Sequence, residues 1–268
     1  MVAMNAPFCI LTIAGSDSGG GAGVQSDVRT IRAIGGHGLT AITAVTAQDT
    51  ERITAWQPVS DRLITAQIRS ALGGFPVAAV KTGLLPGPGA VRAVALALSR
   101  GPAIPLVVDP VLASSSGTRF ISKSSALVLR KRLFPIASVV TPNWPEAAEL
   151  TGLPVRSHAQ AEEAAHALAA ECRRPVLVKG GHSPGKDCRD CLATPDGTTQ
   201  WFASVRITTR NSHGTGCVLS AAIAAWLGRG ATLAEAVRLA QSFLQRALVR
   251  GRGLDWGPGR GPAFYGTR

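Results

Sequence analysis

Seven residues, Asn211-Ser212-His213-Gly214-Thr215-Gly216-Cys217, stand directly before the apolar run Val218–Leu227. Glycines at a helix start let backbone N–H groups point outward, where the positive end of the helix dipole favours an anion. Gly214, Thr215 and Gly216 can therefore stabilise negative charge developing on a transferred phosphoryl group. A cysteine in such a first turn is expected to have a lowered thiol pKa, which makes Cys217 a candidate base or nucleophile. A buried structural cysteine at a glycine-rich helix start is the plainer alternative.

Other segments can do related chemistry. Gly15–Gly23 is a glycine-rich loop but no dinucleotide fingerprint, because Val24 stands where the third glycine is needed. It suits a close approach to a small ligand, with Asp27 on the helix that follows. Asn143 and Glu146 bracket Trp144-Pro145, and their spacing brings both side chains to one side of a helix start. That pair suits Mg²⁺ held mostly by water and phosphate, and suits a helix cap equally well. Gly180–Lys186 satisfies a G-x-x-x-x-G-K pattern, but Asp187 replaces the Ser/Thr and no helix is expected after it, so a phosphate-binding Walker loop is rejected. Lys179, before Gly180-Gly181, can still meet a nucleotide phosphate. Cys188 and Cys191 form a lone C-x-x-C pair without two further zinc ligands at suitable spacing.

These residues need a scaffold, and the pattern of apolar runs predicts one. Strands are expected at Cys9–Ala14, Leu39–Val45, Val77–Lys81, Leu106–Val108, Ser138–Val140 and Val176–Val178. Helices are expected at Val24–Ile34, Asp61–Leu72, Ala90–Ser99, Ala126–Leu133, Glu146–Leu150, Ala159–Glu171, Thr215–Leu227 and Ala234–Val249. Cys191–Ala193 and Thr199–Ala203 read as an antiparallel hairpin around Asp196-Gly197. Continuous apolar strands separated by helices imply an α/β fold, a mostly parallel sheet with helices on both faces. No linker or repeat divides residues 1–268, so one domain is expected. Ligands of such sheets sit outside the carboxyl ends of the strands, and Gly15–Gly23, Thr46–Asp49, Thr82-Gly83, Asp109-Pro110, Thr141–Glu146 and Lys179–His182 are all expected to follow strands.

Composition narrows the classes. The 268 residues are 46% hydrophobic and 16% charged, which excludes an intrinsically disordered chain. The net charge of +12 comes from 28 basic and 16 acidic residues, and only five of the basic residues are lysine. The arginines are dispersed, Arg130-Lys131-Arg132 being the densest run, and aromatics are 5%. That is no basic block with interleaved aromatics, so no nucleic-acid partner is expected. No basic residue precedes Arg29, and the run Phe8–Ala14 passes into the glycine loop, so no signal peptide is expected. Val218–Leu227 is too short to cross a bilayer, so no membrane partner is expected. Five cysteines in a chain this long do not make a disulfide framework, which favours a reducing compartment.

Taken in order, the segments resemble the ribokinase-like superfamily, and within it the hydroxymethylpyrimidine/phosphomethylpyrimidine kinases of thiamine biosynthesis. The resemblance runs from Ile10–Ser18 to the Gly257-Pro258-Gly259-Arg260-Gly261-Pro262 tail. Its landmarks are Gly15–Gly23 with Gln25–Asp27, Thr43–Thr50, Lys81-Thr82-Gly83, Val108–Val111, Thr141–Glu146, Lys179–His182 and Asn211–Cys217. The cysteine after Gly-Thr-Gly, where sugar kinases of the superfamily carry Asp, is the most diagnostic. The resemblance implies a ribokinase-like fold and transfer of the ATP γ-phosphoryl group to 4-amino-5-hydroxymethyl-2-methylpyrimidine, then to its monophosphate. It implies ATP and Mg²⁺ as cofactors, a homodimer and a cytoplasmic setting. Gly214, Thr215 and Gly216 would form the anion hole and Cys217 would sit beside the acceptor hydroxyl, as base or as positioning group. Gln48 would pair with the pyrimidine edge, and Gly15, Ala22, Asp27 and Leu84 match other pocket positions. Asn143 and Glu146 match the Mg²⁺-phosphate motif, with Asp109 and Lys179 near the same phosphates. Departures are Leu84 for Met, Val218 for Thr, Gly20 for Ser, and Ser114–Ser116 in place of a stretch that contains Lys. Two readings compete: a pyridoxal kinase of the same cysteine-bearing branch, and a basic fold that binds nucleotide or nucleic acid without catalysis.

Overall fold

The computed structural model describes residues 8–99, 103–114, 117 and 119–265. Period-2 alternation builds its sheet. Ile10, Ala79, Val107, Val139 and Leu177 point into one core, while Leu11, Val80, Val108, Val140 and Val178 point into the other. A strand with both faces apolar must be covered on both sides.

The strands are β1 (Cys9–Asp17), β2 (His37–Gln48), β3 (Ile53–Pro58), β4 (Val77–Thr82), β5 (Leu106–Val108), β6 (Val139–Val140), β7 (Val176–Val178), β8 (Asp187–Ala193) and β9 (Thr199–Val205). Among the described residues they form one sheet in the order β3-β2-β1-β4-β5-β6-β7-β8-β9. The pairs from β2 to β7 are parallel, while β3, β8 and β9 add antiparallel edges. The hairpin expected from Asp196-Gly197 is present, and each of its strands is longer than the sequence suggested.

Five helices cover the first core: α2 (Asp61–Gly74), α3 (Gly87–Ser99), α4 (Lys123–Arg132), α5 (Trp144–Thr151) and α6 (His158–Cys172). The other is covered by α1 (Gly23–Ala33), α7 (Thr215–Gly228) and α8 (Leu233–Gly251). Side-chain caps start several of them: Ser60, Ser122, Ser157 and Thr232 each accept a backbone N–H of the first turn. Helix α7 differs. Val218 through Ala225 are all buried, so it runs inside the molecule with no polar face to show water. It packs on β1, β4 and β5, which brings its start over the middle of the sheet's carboxyl edge. No described helix is long and apolar enough to cross a membrane.

Candidate active site

Along that edge lies a cleft of about 570 Å³. Each parallel strand brings a residue to it at or just past its carboxyl end. Gly15 stands near the end of β1, Gln48 closes β2, Lys81 stands near the end of β4 and Leu84 just past it. Asp109 follows β5, Asn143 and Glu146 follow β6, and Lys179 follows β7. Ala22 and Gly214 through Cys217 complete the wall. Of the residues proposed from sequence, Asp27 alone stays outside the lining.

The glycine at the start of α7 is required by geometry. Gly214 has φ 74°, and a Cβ there would lie 2.0 Å from the Gly21 carbonyl oxygen. The helix start and the Gly15–Gly23 loop thus touch backbone to backbone, which no side chain permits. Helix geometry leaves the first-turn N–H groups without intrahelical acceptors. They open on the cleft beside Lys179: a Cβ on Gly216 would stand 3.4 Å from Lys179 Nζ and 3.8 Å from Asp109 Oδ2.

Two buried ion pairs underlie this wall. Lys179 Nζ donates to Asp109 Oδ1 at 2.6 Å and lies 3.9 Å from Glu146 Oε2. Asp109 is held from its other side by Ser220 Oγ at 3.1 Å, a hydroxyl of α7 itself. Burial opposes the charge on Lys179, but Asp109 and then Glu146 outweigh it and raise its pKa. Glu146 is pushed up to about 7 by burial, against the attraction of Lys179. Deeper, Lys81 Nζ donates to Asp27 Oδ2 at 2.8 Å, and both side chains are fully buried. Burial works against the Lys81 ammonium too, and the Asp27 carboxylate keeps it charged.

Two expectations need correction. Asp27 does not line the cleft directly; it lies one layer behind, where its Oδ2 accepts from Lys81 Nζ and from Thr12 Oγ1 of β1 while its buried Oδ1 has no hydrogen-bond partner. The Cys217 thiol is not acidified by its place at the helix start. Burial pushes it up to about 11, against the pull of Lys81 and the Gly23 N–H. Asp27 and Asp109 push in the same direction as burial, so the helix start does not acidify Cys217 and it is a thiol at neutral pH.

For Asn143 and Glu146 the capping reading is realised. Asn143 Oδ1 accepts from the Glu146 N–H at 2.9 Å, and Glu146 Oε2 accepts from the Asn143 N–H at 2.7 Å. Oxygens engaged in this way fit a cation held through its water shell rather than by direct ligation. Among the described residues no three His, Cys, Asp or Glu side chains form a metal cage. The Cys188/Cys191 pair accordingly splits: Cys188 lines the cleft and Cys191 is buried in the core behind it. The rejected Walker pattern folds as a short turn, Gly180–His182, followed by strand β8. Of the Ser114–Ser116 departure, Ser115 and Ser116 lie outside the described residues.

Sequence reasoning missed three residues here. Lys81 was unassigned although a lysine ending the apolar run Val77–Val80 was itself a signal, since a buried lysine needs a partner. Asp17, within the glycine loop, accepts the N–H groups of Gly19, Gly21 and Ala22 and so folds that loop. Asp190 of β8 accepts the Gly180 N–H and the Gln241 amide, both at 2.6 Å, and so ties down the turn after Lys179. Nothing in its local sequence marked it.

Known proteins are similar to this chain in sequence and in fold. The phosphomethylpyrimidine kinase family profile matches residues 17–263. A hydroxymethylpyrimidine/phosphomethylpyrimidine kinase of Rhizobium meliloti (strain 1021) is 42% identical over 256 residues, 95% of this chain and 96% of that one. A phosphomethylpyrimidine kinase structure from Clostridium difficile 630 superimposes with TM-score 0.78 at 34% identity, covering 90% of this chain and 99% of that chain. The ADP complex of Bacillus subtilis pyridoxal kinase gives TM-score 0.83 at 33% identity, covering 90% and 92%. Fold and sequence agree, and the chain belongs to the phosphomethylpyrimidine kinase family, with the ribokinase-like fold.

Proposed function

We propose that this chain is an ATP-dependent kinase, acting as a single domain, that phosphorylates 4-amino-5-hydroxymethyl-2-methylpyrimidine and then its monophosphate. The observation that carries this reading is the position of Gly214–Cys217. They stand between the Gln48 end of the cleft, beside β1 and β2, and the Lys179 end, beside β7. A cleft with an anion-binding helix start at its middle suits transfer between two ligands laid end to end.

In this reading the pyrimidine lies against Gly15, Ala22, Gln48 and Leu84, and the triphosphate lies against Lys179, Asp109, Asn143 and Glu146. The first-turn N–H groups of α7 stabilise charge on the transferred group, and Lys179 beside Gly216 adds a full positive charge there. Cys217, a thiol of pKa about 11, positions the acceptor hydroxyl rather than serving as its base. The new O–P bond forms as the bond to the leaving ADP breaks, and the hydroxyl proton departs late, to an oxygen of the transferred phosphoryl group or to water. Lys81 lies beneath and supplies a fixed buried charge. Mg²⁺ arriving with ATP would neutralise phosphate charge, with Glu146 and Asp109 as outer partners of its water shell. The resemblance further points to a homodimer in the cytoplasm, and sedimentation of the purified chain tests the first.

The B. subtilis relative is named a pyridoxal kinase, so the deciding assay runs both acceptors. With ATP and Mg²⁺, the aminopyrimidine is expected to gain one and then two phosphates, with kcat/KM above that for pyridoxal. Pyridoxal strongly preferred would overturn the assignment of substrate.

A further inference from the structure

At the acceptor end of the cleft one ring nitrogen faces two partners that it cannot serve in the same way. His213 Nε2 lies 2.9 Å from Asp17 Oδ2 and 3.0 Å from the Gln48 side-chain amide. A ring nitrogen either donates a hydrogen or accepts one. Asp17 settles which. Its Oδ2 also accepts the N–H groups of Gly21 at 3.0 Å and Ala22 at 2.8 Å, and its Oδ1 that of Gly19 at 2.8 Å. Burial opposes charge on this carboxylate, but His213 and the backbone N–H groups outweigh it and hold its pKa below the ordinary value. An ionised carboxylate only accepts, so Nε2 carries the hydrogen.

An Nε2–H cannot face the NH₂ of Gln48, since two donors would then meet. The amide oxygen and nitrogen exchange places by a half-turn of the terminal torsion. The amide atom beside His213 is therefore the oxygen, and the NH₂ is left for the cleft that Gln48 lines. His213 cannot swing away to relieve the arrangement. Its backbone N–H donates to the Gly261 carbonyl at 3.0 Å, and a Cβ on Gly21 would come within 2.3 Å of its ring carbon Cδ2.

We propose that His213, held by Asp17, is the positioning residue that makes Gln48 present an N–H rather than a carbonyl to the acceptor. The acceptor end thereby selects a heteroaromatic ring with a lone pair on the facing ring nitrogen, and disfavours one that is protonated there. This rests on the reading that Gln48 meets the acceptor ring. Nothing assigned to the site above gave His213 a role.

Long-range ¹H–¹⁵N spectra of the ¹⁵N-labelled chain test the hydrogen placement directly. There are five histidines to resolve, and the His213 signal is the one lost in His213→Phe. Its Nε2 is expected to resonate as a protonated nitrogen at neutral pH; a bare Nε2 overturns the proposal. In steady-state assays His213→Phe should raise KM for the aminopyrimidine about tenfold, roughly 1.4 kcal/mol, while KM for ATP stays within about twofold. Gln48→Glu keeps an oxygen toward His213 and loses the N–H, so it should show a similar rise, with little added by His213→Phe in the double variant. An unchanged acceptor KM in His213→Phe, or fully additive losses, overturns the positioning role. If the aminopyrimidine is no substrate, the substrate reading fails, and the ¹⁵N spectrum still decides the hydrogen placement.

Discussion

At the scale of the residue, Cys217 is the sharpest case, because helix dipole and burial push its thiol in opposite directions and burial wins. With the thiol pushed up to about 11, the thiolate fraction would grow about tenfold per pH unit between pH 7 and 9. A mechanism that needs a preformed thiolate would carry that slope into kcat. The positioning role predicts its absence, and a kcat that climbs tenfold per unit across this window would show that Cys217 reacts as the thiolate. Cys217→Ala is expected to lower kcat by about a hundredfold, in the range of an acceptor hydroxyl displaced by about 1 Å. ATP binding, read by calorimetry, should stay within about twofold, because Lys179, Asp109 and the backbone N–H groups remain. Full turnover in that variant sinks the assigned role. The place of Cys217 at the helix start was legible, but not the direction in which its thiol shifts, because depth beneath a surface is not written in local spacing. The burial of Asp27 was hidden for the same reason. Its helix was legible, but the buried Lys81 that claims its carboxylate lies 54 positions away in the chain.

At the scale of the element, the parallel strands were legible because β1, β5 and β7 are apolar on both faces and read as plain runs. Strand β3 was not. Its residues Ile53–Pro58 are exposed or half-exposed, so no core imposes a pattern on them, and only pairing with β2 makes them a strand. The start of α5 was legible in type and ambiguous in purpose, and substitution separates the two purposes. Asn143→Ser keeps a capping oxygen, so stability should change by no more than about 0.5 kcal/mol, whereas Asn143→Ala should cost about 1 kcal/mol. If Asn143 also serves the Mg²⁺–phosphate group, Asn143→Ser will raise the Mg²⁺ concentration needed for half-maximal rate; an unmoved Mg²⁺ titration leaves it a cap alone. Glu146 yields a second test. Its folded pKa of about 7 lies above the ordinary 4.5, so the folded state holds this proton more tightly. The stability this contributes is complete below pH 4.5 and is lost as pH rises through 7. Buried Asp27 and Asp190 are shifted in the same direction by burial. The melting temperature of the ligand-free protein should therefore fall between pH 5 and 8. In Glu146→Gln, which keeps the capping oxygen, the fall should be shallower; equal slopes would show that Glu146 does not titrate there.

At the scale of the whole molecule, the net charge of +12 and the cleft make opposite claims about what the protein binds. The arginines are dispersed, and several are occupied at the surface: Arg119 with Glu149, Arg130 with Glu171, and Arg210 with Asp255. Even the densest basic run thus has one member already paired, and exposed pairs of this kind add little stability and no directed patch. The cleft, by contrast, draws lining residues from both ends of the sheet, from β2 to β9, and from α7 and α8. A ligand seated there meets groups that come together only in the folded chain, so it binds the native state alone and stabilises it by mass action. At a hundred times its dissociation constant, Mg·ADP should add about 2.7 kcal/mol. For a chain of this size each kcal/mol moves the melting temperature by about 2–4 °C, so a rise on the order of 5–10 °C is expected. Single- or double-stranded DNA at the same nucleotide concentration, in about 0.15 M salt where dispersed surface charges are screened, should move it by about 1 °C or less. DNA that stabilises the protein as much as Mg·ADP does would return the charge to the centre of its function and make the cleft secondary.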